Sequence, residues 1–328
     1  MDFSAVPDQP NTEEPNQLPL PERPRVSLGH PFFYNELGIR SGWRLLLYFS
    51  SGLLIYGFEL VPASFFYRGG SPLGIWAIIL GECMTFAAAF GAALLMSRLE
   101  DRPSAVYGLP SASAFGRRFW QGILLGLCEI SLIVGLLWIL GAYSFGNLSF
   151  HGLRILQWGF LWFLAAVLIA LPEEFLFRGY TQYTLADGIG FWPAAIVLSL
   201  VFASVHKTNP GENWIGVTNI FFTGLLWAFT LRRTGSLWLA VGWHAAFDFG
   251  ESFLYSVPNS GGVFEGHLSH ATVVHGRAWL TGGSVGPEGS ILAFATLGLG
   301  AIMIHFWFPA ADKKQTAVKI ADASVNQL

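Results

Sequence analysis

In Leu171-Pro172-Glu173-Glu174-Phe175-Leu176-Phe177-Arg178-Gly179-Tyr180 two adjacent acids and an arginine follow a seventeen-residue run, 155–171, that carries no charge. An ionisable side chain at bilayer depth costs about 2.5–3.5 kcal/mol even on the mildest insertion scale, so two acids and an arginine together point to function. On a helix Glu174 precedes Arg178 by four residues, the favourable order for an ion pair, and Arg178 compensates it. Glu173 stands about 100° round from Glu174, without a partner on its own helix, and points at something else. Pro172 withholds a hydrogen bond from the Leu168 carbonyl, a break that membranes tolerate where a helix lines a cavity.

The chain around this stretch reads as a membrane protein. Of 328 residues, 53% are hydrophobic and 12% charged, with positive mean hydropathy; soluble domains carry about 25% charged residues. Eight apolar segments near bilayer length, about 43–61, 72–97, 119–143, 155–186, 191–206, 214–231, 236–254 and 290–309, predict an all-α polytopic helical bundle of about eight transmembrane helices. The fourth is expected to run on through the acidic motif to the Asp187-Gly188-Ile189-Gly190 turn. Residues 1–42, with seven prolines between Pro7 and Pro31, read as an unstructured tail. The membrane domain is then 43–309, with a core at about 155–254, and 310–328 is a second tail.

Trp43, Trp120, Trp192, Trp214, Trp238 and Trp307 lie near span ends, as an aromatic belt requires. Gly122 and Gly126 read as a close helix contact. Glu59, Glu82 and Glu129 read as interior-facing acids bonded to neighbouring helices. Cys83 and Cys128, inside spans, read as packing residues and not as a disulfide. The glycine-rich stretch 255–289, with His267, His270 and His275, reads as a solvated loop. A net charge of −3 with scattered basic residues argues against nucleic acid.

Two further motifs carry ionisable groups inside spans. Phe202-Ala203-Ser204-Val205-His206 and His244-Ala245-Ala246-Phe247-Asp248 are each i, i+4 pairs on one helix face. Glu173 lies about 21 Å before Asp187, and His206 about 22 Å after Phe191, so they meet at one level. His244, about 12 Å into its span, joins them in a cavity in the cytoplasmic half or near the midplane. Such a set suits activation of water by a carboxylate, with imidazoles and a second acid binding a metal or stabilising an oxyanion. The chain has no His-Glu-x-x-His or Walker motif, and no nucleotide is expected.

Glu-Glu-x-x-x-Arg (Glu173, Glu174, Arg178), Phe-x-x-x-His (Phe202, His206) and His-x-x-x-Asp (His244, Asp248), in that order, resemble the three motifs of the CAAX protease and bacteriocin-processing family of intramembrane endopeptidases. That family includes type II CAAX prenyl endopeptidases and bacterial Abi-type proteins. The resemblance implies hydrolysis of a peptide bond in a membrane-associated or lipidated substrate. Glu173 would be the general base and His206 its partner; His244 and Asp248 would stabilise the oxyanion, while Glu174, Arg178 and Phe202 would support the geometry. Asp248 stands where the family also uses Asn. Ionised, it makes a better metal ligand than amide-like donor, so a divalent metal such as Zn²⁺ held by His206, His244, Asp248 and Glu173 stays open beside a metal-free site. The implied surroundings are a lipid bilayer in a bacterial cell and a protein or peptide substrate. A proton-coupled transporter and a non-catalytic immunity or scaffold protein are the alternatives.

Thirteen Lys and Arg fall in the two tails and the loops after spans two and six, against four in the other loops. The positive-inside rule then predicts both termini in the cytoplasm. Reporter fusions after Arg118 and after Lys319 should read cytoplasmic and a fusion near His270 the far side; a cytoplasmic signal at His270 would invert the topology.

Overall fold

The computed structural model describes residues 32–35, 38–66, 74–274 and 277–309. Residues up to Arg40 form one unit, in which β1 (Tyr34–Asn35) and β2 (Gly38–Ile39) pair as a small antiparallel hairpin inside the expected tail. The described residues from Ser41 onward belong to the second unit, which is mostly helical.

Long apolar stretches become helices because, in hydrocarbon, every backbone amide must be satisfied within its own segment. They are α1 (Ser41–Phe66), α2 (Ile75–Leu99), α3 (Arg117–Ile139), α4 (Leu153–Arg178), α5 (Tyr180–Ile189), α6 (Phe191–His206), α7 (Trp214–Thr234) and α8 (Trp238–Phe249). A wide π-type turn, Gly250–Leu254, continues α8, and α9 (Ala278–Thr281) and α10 (Leu292–Trp307) complete the set. Among the described residues, five stretches are long and apolar enough to cross a membrane: Ser41–Ser64, Ile75–Leu99, Arg117–Ile139, Leu153–Ile189 and Trp214–Thr234. Three expected spans are shorter; α6 and α10 have 16 residues each and α8 has 12.

One end of the bundle gathers arginines. Arg44 of α1 pairs with Glu100 and, at 2.8 Å, with Asp187 of α5, while Arg102 reaches Asp187 at 3.1 Å and the Tyr183 hydroxyl at 2.6 Å. The opposite end carries a second antiparallel pair, β3 (Tyr143–Leu148) with β4 (Ser269–Val273). This corrects the reading of 255–289 as a plain loop; pairing partners more than a hundred residues apart leave no local signal.

Other expectations also change. The fourth helix does not run unbroken to Asp187: Gly179, at φ −84° and ψ −118°, interrupts it and α5 restarts at once. The break turns Tyr180 so that its ring stacks on Tyr48 at 4.5 Å and its hydroxyl donates to Glu100. Trp238 is not in an aromatic belt but buried, its indole donating to the Pro110 carbonyl at 3.2 Å. Cys83 and Cys128 are exposed on the outer surface of their helices and unpaired, not packed inside.

Gly122 and Gly126 do form the close contact. A Cβ on Gly126 would collide with the Trp243 carbonyl oxygen, and one on Gly122 with that of Leu239, so α3 and α8 touch backbone to backbone. Gly126→Val should therefore sharply reduce folded protein in detergent. Gly135→Ala on the same helix, where a Cβ meets nothing within 4 Å, should leave the melting temperature unchanged or slightly raised.

Candidate active site

Three helices supply the ionisable groups, and the i, i+4 spacing sets which way each points. On α4, Glu174 has no exposed surface and its Oε1 accepts from Arg178 Nη1 at 3.3 Å. The same oxygen accepts from His244 Nδ1 of α8 at 3.0 Å. One buried carboxylate thus holds both an arginine and an imidazole. Phe202 of α6 closes the arrangement, with the Arg178 guanidinium 4.3 Å above its ring and the His206 ring 4.3 Å away. Gly224 of α7 leaves room for it: a Cβ there would lie 2.7 Å from Arg178 Nη2.

Glu173 points the other way, as its offset of about 100° requires. Its Oε2 lies 4.0 Å from His206 Nε2 and 3.8 Å from His244 Nε2, with no hydrogen-bond partner among the described residues. His244 Nε2 is also 3.6 Å from Asp248 Oδ2. Both imidazoles are anchored through Nδ1, His206 to the Phe202 carbonyl at 2.9 Å and His244 to Glu174. Since carbonyl and carboxylate oxygens only accept, each Nδ1 carries the proton and each Nε2 faces Glu173. The structure therefore brings Glu173, His206, His244 and Asp248 to one place, with Glu174, Arg178 and Phe202 behind them.

These groups line a cavity of about 420 Å³, within the usual range of about 300–1,000 Å³ for ligand sites. Its wall also includes Glu82 of α2, Glu129 of α3, Asn219 and Trp227 of α7, and Glu288 of the connection before α10. Glu129 accepts from Trp243 Nε1 at 2.6 Å and Thr296 Oγ1 at 3.1 Å, the interhelical bonding expected of it; Glu59 does not reach the cavity. Asn209, Ser260 and Glu288 carry the cavity toward the end opposite the arginines, farther than helix arithmetic indicated. There α6 stops at His206, and the chain around Pro210 and Gly261 draws together over it; a Cβ on Gly261 would strike the Pro210 carbonyl oxygen. Burial first, then nearby Asp248 and Glu212, pushes the Glu288 carboxyl up to about 8.

Glu288 and Trp227 gave no signal in the sequence, one lying in a glycine-rich connection and the other among many tryptophans. Among the described residues no three His, Cys, Asp or Glu side chains form a group that could hold a metal ion. Of the loop histidines, His267 bonds the Phe264 carbonyl and His270 contacts Ser149; His275 lies outside the described residues.

Residues 155–250, which contain all three motifs, match the family model described as Rce1-like, type II CAAX prenyl endopeptidase. The match supports placing the chain in the CAAX protease family. A 132-residue stretch is 32% identical to the uncharacterized protein YyaK of Bacillus subtilis (strain 168), covering 36% of this chain and 42% of that protein. The chain thus spans less than half of that curated relative. No solved structure matches.

Removing Arg178 strands a fully buried carboxylate, a loss of about 3–5 kcal/mol. Arg178→Ala should lose most folded protein, measured by monodispersity and melting temperature. Arg178→Met with Glu174→Gln should recover much of it, because that amide still accepts from His244 and no buried charge is left alone.

Proposed function

We propose that this chain is an intramembrane endopeptidase that hydrolyses a peptide bond of a membrane-associated or lipidated substrate, with water activated by Glu173. The observation that carries this reading is Glu173, unpartnered in a membrane cavity and facing two Nε2 atoms that are each anchored through Nδ1. Separations of 3.8–4.0 Å exceed a hydrogen bond and suit groups that share a water molecule between them. The match of residues 155–250 to a protease family supports a hydrolase.

In this scheme Glu173 accepts a proton from water, and the hydroxide adds to the peptide carbonyl carbon. His206 Nε2 orients the water. His244, when its Nε2 is protonated, donates to the developing oxyanion, while Glu174 and Asp248 hold its ring and balance its charge. Glu173 then returns its proton to the leaving nitrogen as the C–N bond breaks, leaving one carboxyl and one amine product. The scheme runs through Glu173 and the two imidazoles, and no step is routed through a metal. We place the protein in a bacterial cell membrane with both termini cytoplasmic, following the arginine distribution.

Full-length protein in proteoliposomes, incubated with a mixture of membrane-anchored peptides, tests this. Wild type should release new termini, and Glu173→Gln should cut at least about 10²-fold more slowly while remaining folded. Cleavage should persist in chelator-treated protein shown by elemental analysis to contain no metal. Cleavage lost to chelator and restored by Zn²⁺ would contradict the metal-free scheme. Solute or proton transport sensitive to Glu173→Gln, with no cleavage, would favour the transporter.

A further inference from the structure

Five carboxylates line the cavity, Glu82, Glu129, Glu173, Asp248 and Glu288, and no lysine or arginine does. Several of its donors are already engaged: Asn259 Nδ2 with Ser252 Oγ at 3.2 Å, and Asn219 Nδ2 with the Glu288 backbone carbonyl at 3.1 Å. Trp227 Nε1 is a buried donor left without a partner among the described residues, but the charge that faces the cavity is carried by acids and imidazoles alone. Asn219 is only 5% exposed, yet its amide oxygen has no partner among the described residues. The bond from its nitrogen fixes it beside Glu288, whose Oε1 is oriented by the Ser260 backbone N–H at 2.8 Å.

A buried acceptor without a donor costs about 1–3 kcal/mol, so a site that keeps one beside a carboxylate favours a ligand that brings N–H groups and positive charge. A small inorganic cation needs several oxygens converging at about 2.0–2.6 Å, and the acids here do not gather in that way. A guanidinium or ammonium on a flexible stem makes no such demand. We propose that Glu288 and Asn219 form a subsite for a cationic side chain, of the lysine or arginine type, in the peptide presented to Glu173. The subsite rests on the endopeptidase reading for its purpose, but its occupancy can be measured without cleavage. Placed in the connection before α10 and at the start of α7, it lies toward the loop end of the cavity. With its carboxyl pushed up to about 8, Glu288 is mostly protonated in the empty site at neutral pH, and a docking cation favours its ionised form.

The test uses full-length protein in lipid nanodiscs and two probes of nearly equal shape, N-acetyl-arginine amide and N-acetyl-citrulline amide. Binding is read from tryptophan fluorescence, since Trp162 and Trp227 line the cavity. Wild type should bind the arginine probe about tenfold more tightly, in line with a charge-assisted hydrogen bond. In Glu288→Gln that preference should fall to near one, while Glu82→Gln keeps most of it. Asn219→Leu, which leaves the Glu288 carboxyl in place, should weaken both probes severalfold, since each brings N–H groups, and keep most of the preference for arginine. Equal binding of both probes by wild type, or equal loss of preference in Glu82→Gln and Glu288→Gln, overturns the subsite. If no peptide is cleaved but the preference is found and depends on Glu288, the endopeptidase reading fails and the cation site stands.

Discussion

Everything at the site depends on Glu174, a carboxylate with no exposed surface inside an apolar bundle. Its charge is tolerable only because Arg178 and His244 both donate to it. That requirement ties α4 to α8 and fixes the orientation of one imidazole. Through the Arg178 guanidinium lying on Phe202, it extends to α6, which carries the other imidazole. Glu173, one residue earlier, is left facing both rings without a partner of its own. Charge compensation on one side of a helix thus positions Glu173 on the other.

The close backbone contact of α3 with α8 serves the same end. Gly122 and Gly126 let α8 sit against α3 without intervening side chains, and α8 carries His244 and Asp248. Trp243 of the same helix donates to Glu129 of α3, anchoring the contact with a hydrogen bond. At the arginine-rich end, Arg44, Glu100, Arg102 and Asp187 hold α1, the end of α2 and α5 together just beyond the break at Gly179. That break moves Tyr180 into the same network, so the segment after Arg178 is pinned at both ends.

Much of the site was legible because its determinants are local. The four-residue spacing of Glu174 and Arg178 and the offset of Glu173 follow from helix geometry, and the structure agrees with both; Glu173 and His206 do meet, although the helix behind the distance arithmetic breaks at Gly179. Helical character was legible from apolar length, although the depth spanned by α6, α8 and α10 was not. What escaped is set by tertiary partners. Glu174 bonding to His244, the β3–β4 pair, the burial of Trp238 and the reach of Glu288 into the cavity each join residues far apart in the chain. Gly179 looked like one more glycine in a helix because its break exists to direct Tyr180 toward Tyr48 and Glu100.

The central claim is that Glu173 activates water to cut a peptide bond within the membrane. It is tested most directly by comparing membranes that contain wild-type protein or Glu173→Gln, incubated in H₂¹⁸O, and by sequencing the new carboxyl termini by mass spectrometry. The account predicts peptides whose new C-terminal carboxyl carries ¹⁸O in wild-type membranes and their absence with Glu173→Gln. The same labelled termini in both membranes would contradict it.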